Sequence, residues 1–240
     1  MRFPRPLVPG HLIRRWNRFL CEVALEGGGT VTAHCPNPGS MMGLADPGMR
    51  VWLEGNDDPK RKLNWAWRLV ELPGGHWAGI DTGVPNRAAG EALRQRRVPG
   101  LEAYAGIRAE VRYGANSRVD WHLSEPGLPD AWVEVKNVHL RRQGDWAEFP
   151  DSVTARGTKH LHELSARVTA GDRAVMLYVV QRTDCAAFRL APDLDPAYAR
   201  AFESARAAGV EMIAMGTRIS PEGVEIASPL PVDPSPQACG

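Results

Sequence analysis

Lysine is scarce in this chain: Lys60, Lys62, Lys136 and Lys159 stand against 25 arginines. Where lysine survives such a bias, a compact ammonium is preferred to the guanidinium fork, a weak pointer toward those four positions. Cysteine is as sparse. Cys21, Cys35, Cys185 and Cys239 are scattered without a CxxC pair, which argues against a zinc knuckle or a disulfide framework and reads them as reduced thiols used as small hydrophobes. No run approaches the ~18 to 20 apolar residues that span a bilayer, and the opening MRFPRPLVPG lacks the apolar centre of a signal peptide. The expectation is a cytoplasmic protein with no membrane partner. An excess of one charge is missing too: the net charge is +1, with +2 in residues 1–85 and −1 in 86–240. A polyanionic partner must therefore be met by local patches.

What is present is an ordinary globular composition, 43% hydrophobic and 24% charged over 240 residues, with room for one large domain or two small ones. Residues 1–85 read as short strands near 12–25, 30–35, 49–54, 64–72 and 76–81, with Gly27-Gly28-Gly29 as a hairpin turn. Five short strands, with alternation at Phe19, Cys21, Val23 and Leu25, suggest an OB-fold-like five-stranded barrel, an SH3-like barrel being the alternative. Asn86 is a good N-cap for a helix over 87–97, ended by Pro99-Gly100, and marks the expected domain boundary. Residues 86–227 then read as an α/β domain. Strands fall near 106–113, 117–123 and 131–139, a helix near 152–170, a strand over 174–181, a helix near 195–208 and strands near 210–218 and 223–227, giving αβββαβ and an extension. The proline-rich tail, 228–240, reads as extended or disordered.

The chemistry concentrates in Ser117-Arg-Val-Asp120-Trp-His, a Pro/Gly-rich loop, and Trp132-Val-Glu134-Val-Lys136-Asn. A hairpin centred on 127–128 sets Asp120 opposite Glu134 or Val135, and the first register places both carboxylates on one face about 4.8 Å apart. A one-residue slip separates them. Alternation groups Val119, Trp121, Leu123, Val133 and Val135 on an apolar face, with Asp120, Glu134 and Lys136 on the other. Two carboxylates that close repel unless a cation sits between them, and Mg²⁺ or Mn²⁺ uses one or two carboxylates plus water and phosphate oxygens. Lys136 is then placed to orient an attacking water or stabilise the charge on a phosphorane, making a phosphodiesterase site. The bland reading is a solvated strand face with a Glu/Lys pair. Glu91, on the preceding helix, and Glu110, between Arg108 and Arg112, are candidates to complete the metal shell, or surface carboxylates paired with arginine.

Several runs are distinctive: His34-Cys-Pro-Asn37-x-Gly39-x-Met41, Lys60-Arg61-Lys62, Asn86-Arg87, Glu110-Val-x-Tyr113-Gly114, Arg118-x-Asp120, Glu134-Val-Lys136, Phe149-Pro150-Asp151 and Val153-Thr154-x-Arg156-Gly157-x-Lys159-His160-Leu161-x-Glu163-Leu164. Together they resemble the sugar fermentation stimulation protein A family, SfsA, over nearly all of residues 1–227. The resemblance implies an OB-fold followed by a domain of the PD-(D/E)xK nuclease superfamily, DNA binding, and a link to the regulation of sugar, especially maltose, metabolism. It places Asp120, Glu134 and Lys136 as the metal and catalytic group. Two positions depart from the family pattern: Thr158 stands where relatives often carry Gln, and Pro38 where Thr is frequent.

Binding surfaces are expected elsewhere. Arg14, Arg15 and Arg18 interleave with Trp16 and Phe19, a mixture that suits phosphates and bases or, equally, a solvated edge strand. Lys60-Arg61-Lys62 is the stronger phosphate patch. The loop after His34 presents His34 and Asn37 to a nucleic acid or is simply rigid, and a zinc reading lacks a second Cys/His pair. Arg156, Lys159, His160 and Glu163 share a helix face from which Lys159 and His160 reach toward a scissile phosphate, opposite a core stripe of Val153, Leu161, Leu164 and Val168. The expected function is a DNA-binding protein with a Mg²⁺- or Mn²⁺-dependent nuclease site. The rivals are a non-catalytic DNA-binding regulator of sugar metabolism and an RNA-directed nuclease or binder.

Overall fold

The computed structural model describes residues 1–113 and 117–233; Gly114, Cys239 and the tail beyond Asp233 lie outside them. Six strands open the chain: β1 (Leu7–Trp16), β2 (Leu20–Leu25), β3 (Thr30–His34), β4 (Arg50–Gly55), β5 (Trp65–Leu72) and β6 (His76–Gly79). The sheet order β3-β2-β1-β4-β5 is closed by a parallel pairing of β3 with β5 at His34 and Ala66. This is a closed five-stranded barrel, and β6 hangs on β5 outside it. Bulges at Ile13 in β1 and at Arg68 in β5 supply the bend that closure demands. Inside, Leu12, Cys21, Val23, Ala33, Leu53 and Trp67 pack as one core. The segment 12–25, expected as one strand, is the hairpin β1–β2. Its turn holds Asn17 and Arg18 at φ 48° and 61°, a left-handed pair without glycine and so without the usual sequence signal. The strand expected at 76–81 is the one excluded from the barrel.

The second part comprises α1 (Val84–Arg94), β7 (Gly106–Tyr113), β8 (Ser117–Ser124), β9 (Ala131–Val138), β10 (Trp146–Phe149), α2 (Ala155–Thr169), β11 (Arg173–Val180), β12 (Ala187–Leu190), α3 (Pro196–Ala207), β13 (Glu211–Ser220) and β14 (Gly223–Leu230). Strands β7, β8 and β9 form an antiparallel meander, and β11 and β13 add in parallel, in the order β14-β13-β11-β9-β8-β7. Buried on both faces, β11 is an almost unbroken apolar run. Trp121, Leu123, Val133, Val175 and Leu177 pack with Ala88, Ala92 and Leu93 of α1. Trp132, Met176 and Tyr178 pack on the other face with Leu161 and Leu164 of α2 and Phe202 of α3.

Several expectations are corrected. Helix α1 opens at Val84 with Gly83 as its cap and Pro85 in its first turn, so Asn86 lies inside the helix and is free for another use. In α2 the cap is Thr154, whose side chain accepts from the Gly157 N–H, and Val153 precedes the helix, 75% exposed, outside the core stripe. Val119 packs on the α2 side with Tyr113 and Trp132, opposite Trp121 and Leu123. The short parallel pair β10–β12 gave no periodic signal. Strand β14 runs to Leu230 and Val232 bridges Phe188, so the first part of the expected tail is built into the fold.

The two parts interlock. Ala78 of β6 bridges Arg182, the Gly79 N–H donates to the Gln181 carbonyl at 2.9 Å, and the Thr183 N–H donates to the Trp77 carbonyl at 3.0 Å. A Cβ at residue 79 would meet the Gln181 Oε1 at 2.2 Å, so any larger residue would have to displace the buried Gln181 amide. Asp151, before α2, accepts from the Ser40 N–H at 3.1 Å. At the far end the Phe3 N–H donates to the Glu222 carbonyl and the Val224 N–H to that of Met1. Among the described residues no helix is long and apolar enough to cross a membrane.

Candidate active site

Strands β8 and β9 pair at Leu123–Ala131, His122–Trp132 and Trp121–Val133, a register whose next pair is Asp120 and Glu134. There the backbone ladder stops. The Asp120 side chain takes over, its Oδ2 accepting from the Val135 N–H at 2.7 Å while Oδ1 accepts from Asn86 Nδ2, also at 2.7 Å. The carboxylate thus fills a fork between two strands and is reached from α1.

Glu134, 3% exposed, faces α2 beneath His160. Its Oε1 receives the Lys136 ammonium at 2.9 Å and a short hydrogen bond from His160 Nδ1. Arg156 Nε lies 3.4 Å from His160 Nε2, and the Lys136 ammonium lies 3.1 Å from His160 Nδ1. Burial pushes the Asp120 carboxyl up to about 6, and the Glu134 charge adds to the shift. Glu134 feels burial too, but hydrogen bonds from His160 and Lys136 hold it below the usual carboxylate range. One carboxylate is kept ionised and its neighbour is held near the point of losing its proton.

Oxygens without hydrogen-bond partners surround the pair: Glu134 Oε2, Asn86 Oδ1, Glu163 Oε2 and the Tyr113 hydroxyl. Burial, with the negative field of Glu134, Glu163 and Asp120, raises the Tyr113 phenol well above its ordinary value. Glu163 accepts from Ser117 Oγ at 2.7 Å and lies 3.6 Å from Lys159. Orphaned buried oxygens beside two carboxylates are the donors a hard divalent cation uses, so the residues present fit Mg²⁺ or Mn²⁺. Among the described residues no group of three His, Cys, Asp or Glu side chains could hold a metal ion, so a cation here would take its other ligands from water and phosphate, as is usual for Mg²⁺.

The other candidates divide. Glu110 lies across from Asp120, between the pairs Ala109–Trp121 and Val111–Val119, its backbone left-handed at φ 54° and its charge helping to raise Asp120. Glu91 is corrected: its carboxylate takes the Met1 ammonium at 2.7 Å and lines a cleft with Arg97 and Glu225, and the α1 side chain that reaches Asp120 is Asn86. Asn37 is corrected too, 1% exposed, with its amide spent on the Ile80 carbonyl and the Gly39 N–H. His160 is buried against Glu134 instead of reaching outward. Arg156 and Lys159 are exposed on α2, Arg18 and His34 on the barrel, and Lys60, Arg61 and Lys62 in the β4–β5 loop with no ion-pair partner among the described residues. Arg14 pairs with Glu22 at 2.8 Å and stacks over Trp16. Arg15 is a staple, donating to the carbonyls of Arg18, Asn37 and Gly39. Asn86, Tyr113 and Glu163 were not named as site residues, although all three stand in the runs quoted above and Glu163 shares the polar face of α2 with Lys159.

Known proteins agree with this architecture. Residues 13–80 match the SfsA N-terminal OB domain and residues 83–223 the sugar fermentation stimulation protein RE domain. The sugar fermentation stimulation protein homolog of Jannaschia sp. is 65% identical over 239 residues, covering 99% of each chain. That of Dinoroseobacter shibae is 66% identical over 239 residues, 99% of this chain and 98% of the relative. The solved structure of Pyrococcus furiosus SfsA in complex with Ca²⁺ superposes with a TM-score of 0.86 at 27% identity, over 97% of this chain and 98% of that one. The chain belongs to the sugar fermentation stimulation protein family.

Proposed function

We propose that this protein binds DNA and hydrolyses its phosphodiester bonds with Mg²⁺ or Mn²⁺ held by Asp120 and Glu134. The observation that carries the reading is the fork between β8 and β9, where two carboxylates, an unpartnered Glu134 Oε2 and the Lys136 ammonium converge. The Ca²⁺ bound by the Pyrococcus relative supports a cation as the family's ligand. A divalent cation supplies Lewis-acid polarisation of a phosphoryl oxygen and a more acidic water. Asn86 and the Val135 N–H aim the Asp120 carboxylate, and His160 fixes the rotamer of Glu134. Lys136, half-buried, offers its remaining N–H donors to a phosphate oxygen or an attacking water. The exposed Lys60-Arg61-Lys62 loop and the Arg156 and Lys159 face of α2 neutralise backbone phosphates. Free thiols at Cys21, Cys35 and Cys185 suit a reducing, cytoplasmic setting.

Labelled single- and double-stranded DNA and RNA, incubated with Mn²⁺, Mg²⁺ or EDTA, test the reading. Metal-dependent cleavage is expected, reduced about a hundredfold or more in Asp120→Asn and Lys136→Ala with binding retained. Binding without cleavage in every metal, unchanged in both variants, replaces the nuclease by a non-catalytic DNA-binding regulator; a preference for RNA replaces the substrate.

A further inference from the structure

Three carboxylates stand in one row across the sheet. The pairing of β7 with β8 runs through Ala109–Trp121 and Val111–Val119, so Glu110 falls opposite Asp120. That of β8 with β9 runs through His122–Trp132 and Trp121–Val133, so Asp120 falls in turn opposite Glu134. Opposite residues on antiparallel strands hold their Cβ atoms about 4.5–5.5 Å apart, and like charges so placed destabilise a sheet. At this row β7 and β8 both roll over. Ile107 packs on the α1 side of the sheet while Val111 and Tyr113 pack on the α2 side, although an even spacing should keep them on one face; Val119 and Trp121 part in the same way. The backbone makes the turn at Glu110, with φ 54°, a conformation uncommon outside glycine.

Released from either core, Glu110 is exposed. It stands between Arg108 and Arg112, and neither takes it: Arg108 Nη2 goes to His122 Nδ1 at 3.1 Å, and Glu110 forms no ion pair among the described residues. Glu22, Glu26 and Glu71 on the barrel surface each hold an arginine, so an idle carboxylate is not the habit of this protein. The charge of Glu110 is felt instead by Asp120, whose proton it helps to hold. Beside the row two buried groups lack partners, Glu134 Oε2 on a residue 3% exposed and the hydroxyl of Tyr113, 4% exposed. Like charges in line, with bare oxygens next to them, call for a cation. Resting on the metal-dependent reading above, we propose that Glu110 is the outer carboxylate of the cation site: it holds one of the ion's waters and adds a third negative charge to the field that draws the ion in. Among the described residues no three such side chains meet on one point, which places Glu110 a water's length from the ion.

Isothermal titration calorimetry of the full chain with Mn²⁺ and with Ca²⁺ compares the unaltered protein with Glu110→Gln, beside urea melts of both in EDTA at pH 7.5. Glu110→Gln is expected to bind Mn²⁺ at least about tenfold more weakly and, with one of three facing charges gone, to unfold at a higher urea concentration than the unaltered chain when no metal is present. The two effects have opposite signs, whereas a merely structural role for Glu110 would weaken metal binding and lower the midpoint together. Glu110→Asn, a residue that tolerates the left-handed backbone, is expected to behave in the same way. Equal Mn²⁺ affinity in Glu110→Gln and the unaltered chain, or a midpoint in EDTA that does not rise, overturns the role of Glu110 and leaves Asp120 and Glu134 as the site. An unaltered chain that takes up neither Mn²⁺ nor Ca²⁺ overturns both.

Discussion

Asp120 directs both carboxylate oxygens at uncharged donors, and the consequence is measurable. Its proton is held to about 6 in the folded chain, by burial and then by Glu134, against about 3.9 in an unfolded one. Between those values the folded state binds more protons, so this group's contribution to stability falls as pH rises from about 4 to 6, by about 3 kcal/mol. Asp184 acts in the opposite sense. Burial raises it, but Arg182 and Arg141 more than offset this and hold it at about 2, so its contribution is present above the unfolded value and is lost as pH falls toward 2. Urea melts of the unaltered chain and of Asp120→Asn, in EDTA across pH 4 to 7, separate the two: the difference between them is expected to narrow with rising pH and then favour the variant. Added Mg²⁺ is expected to restore the unaltered chain at pH 7, not the variant. A pH-independent difference would remove Asp120 as the source. The hairpin that brings Asp120 beside Glu134 and Val135 was readable from a two-residue period and a turn centre, because both are local; which of the two Asp120 would face was left open. Asn37 was not readable, since its partner Ile80 lies far along the chain, and a polar loop residue gives no hint of being turned inward.

At the level of elements, α1 is seated by what it lacks. A Cβ at Gly90 would come within 2.3 Å of Trp121 Cζ2, so the helix lies against the indole, and this closeness brings Asn86, one turn earlier, to Asp120. Gly90→Ala gains up to about 1 kcal/mol of helix preference but forces the helix off the sheet; a net loss of about 1 to 3 kcal/mol is expected. Urea unfolding measures it, and cleavage by the variant reports whether Asn86 has left Asp120. A variant as stable as the parent would show that the Trp121 ring yields instead. The helices and most strands were legible because each buries one periodic face. The β1–β2 hairpin was not, since Asn17-Arg18 turns without glycine, and a three-residue shift in the start of α1 turned Asn86 from a cap into a site residue. Strands β10 and β12, four residues each, are too short for any period to register.

Across the molecule, the barrel and the α/β sheet share hydrogen bonds through β6, Gln181 and Asp151, and a common apolar cluster joins Leu7, Leu69 and Val84 to Ile219 and Val224. Parts joined in this way should melt together. Far-UV circular dichroism and tryptophan fluorescence, with indoles at Trp67 in the barrel and Trp132 in the sheet, are expected to give superimposable urea transitions; two separated midpoints would show that the junction is weak. The bond between Phe3 and Glu222 has a bearing on how the chain is made. A ribosome releases Phe3 long before Glu222, and Leu7 long before Val224. Until β14 emerges, the near end of the barrel keeps an apolar face that nothing yet made can cover. The nascent chain therefore passes through most of its synthesis with one wall of the barrel uncovered, and that wall shuts only when β14, the last strand described, arrives.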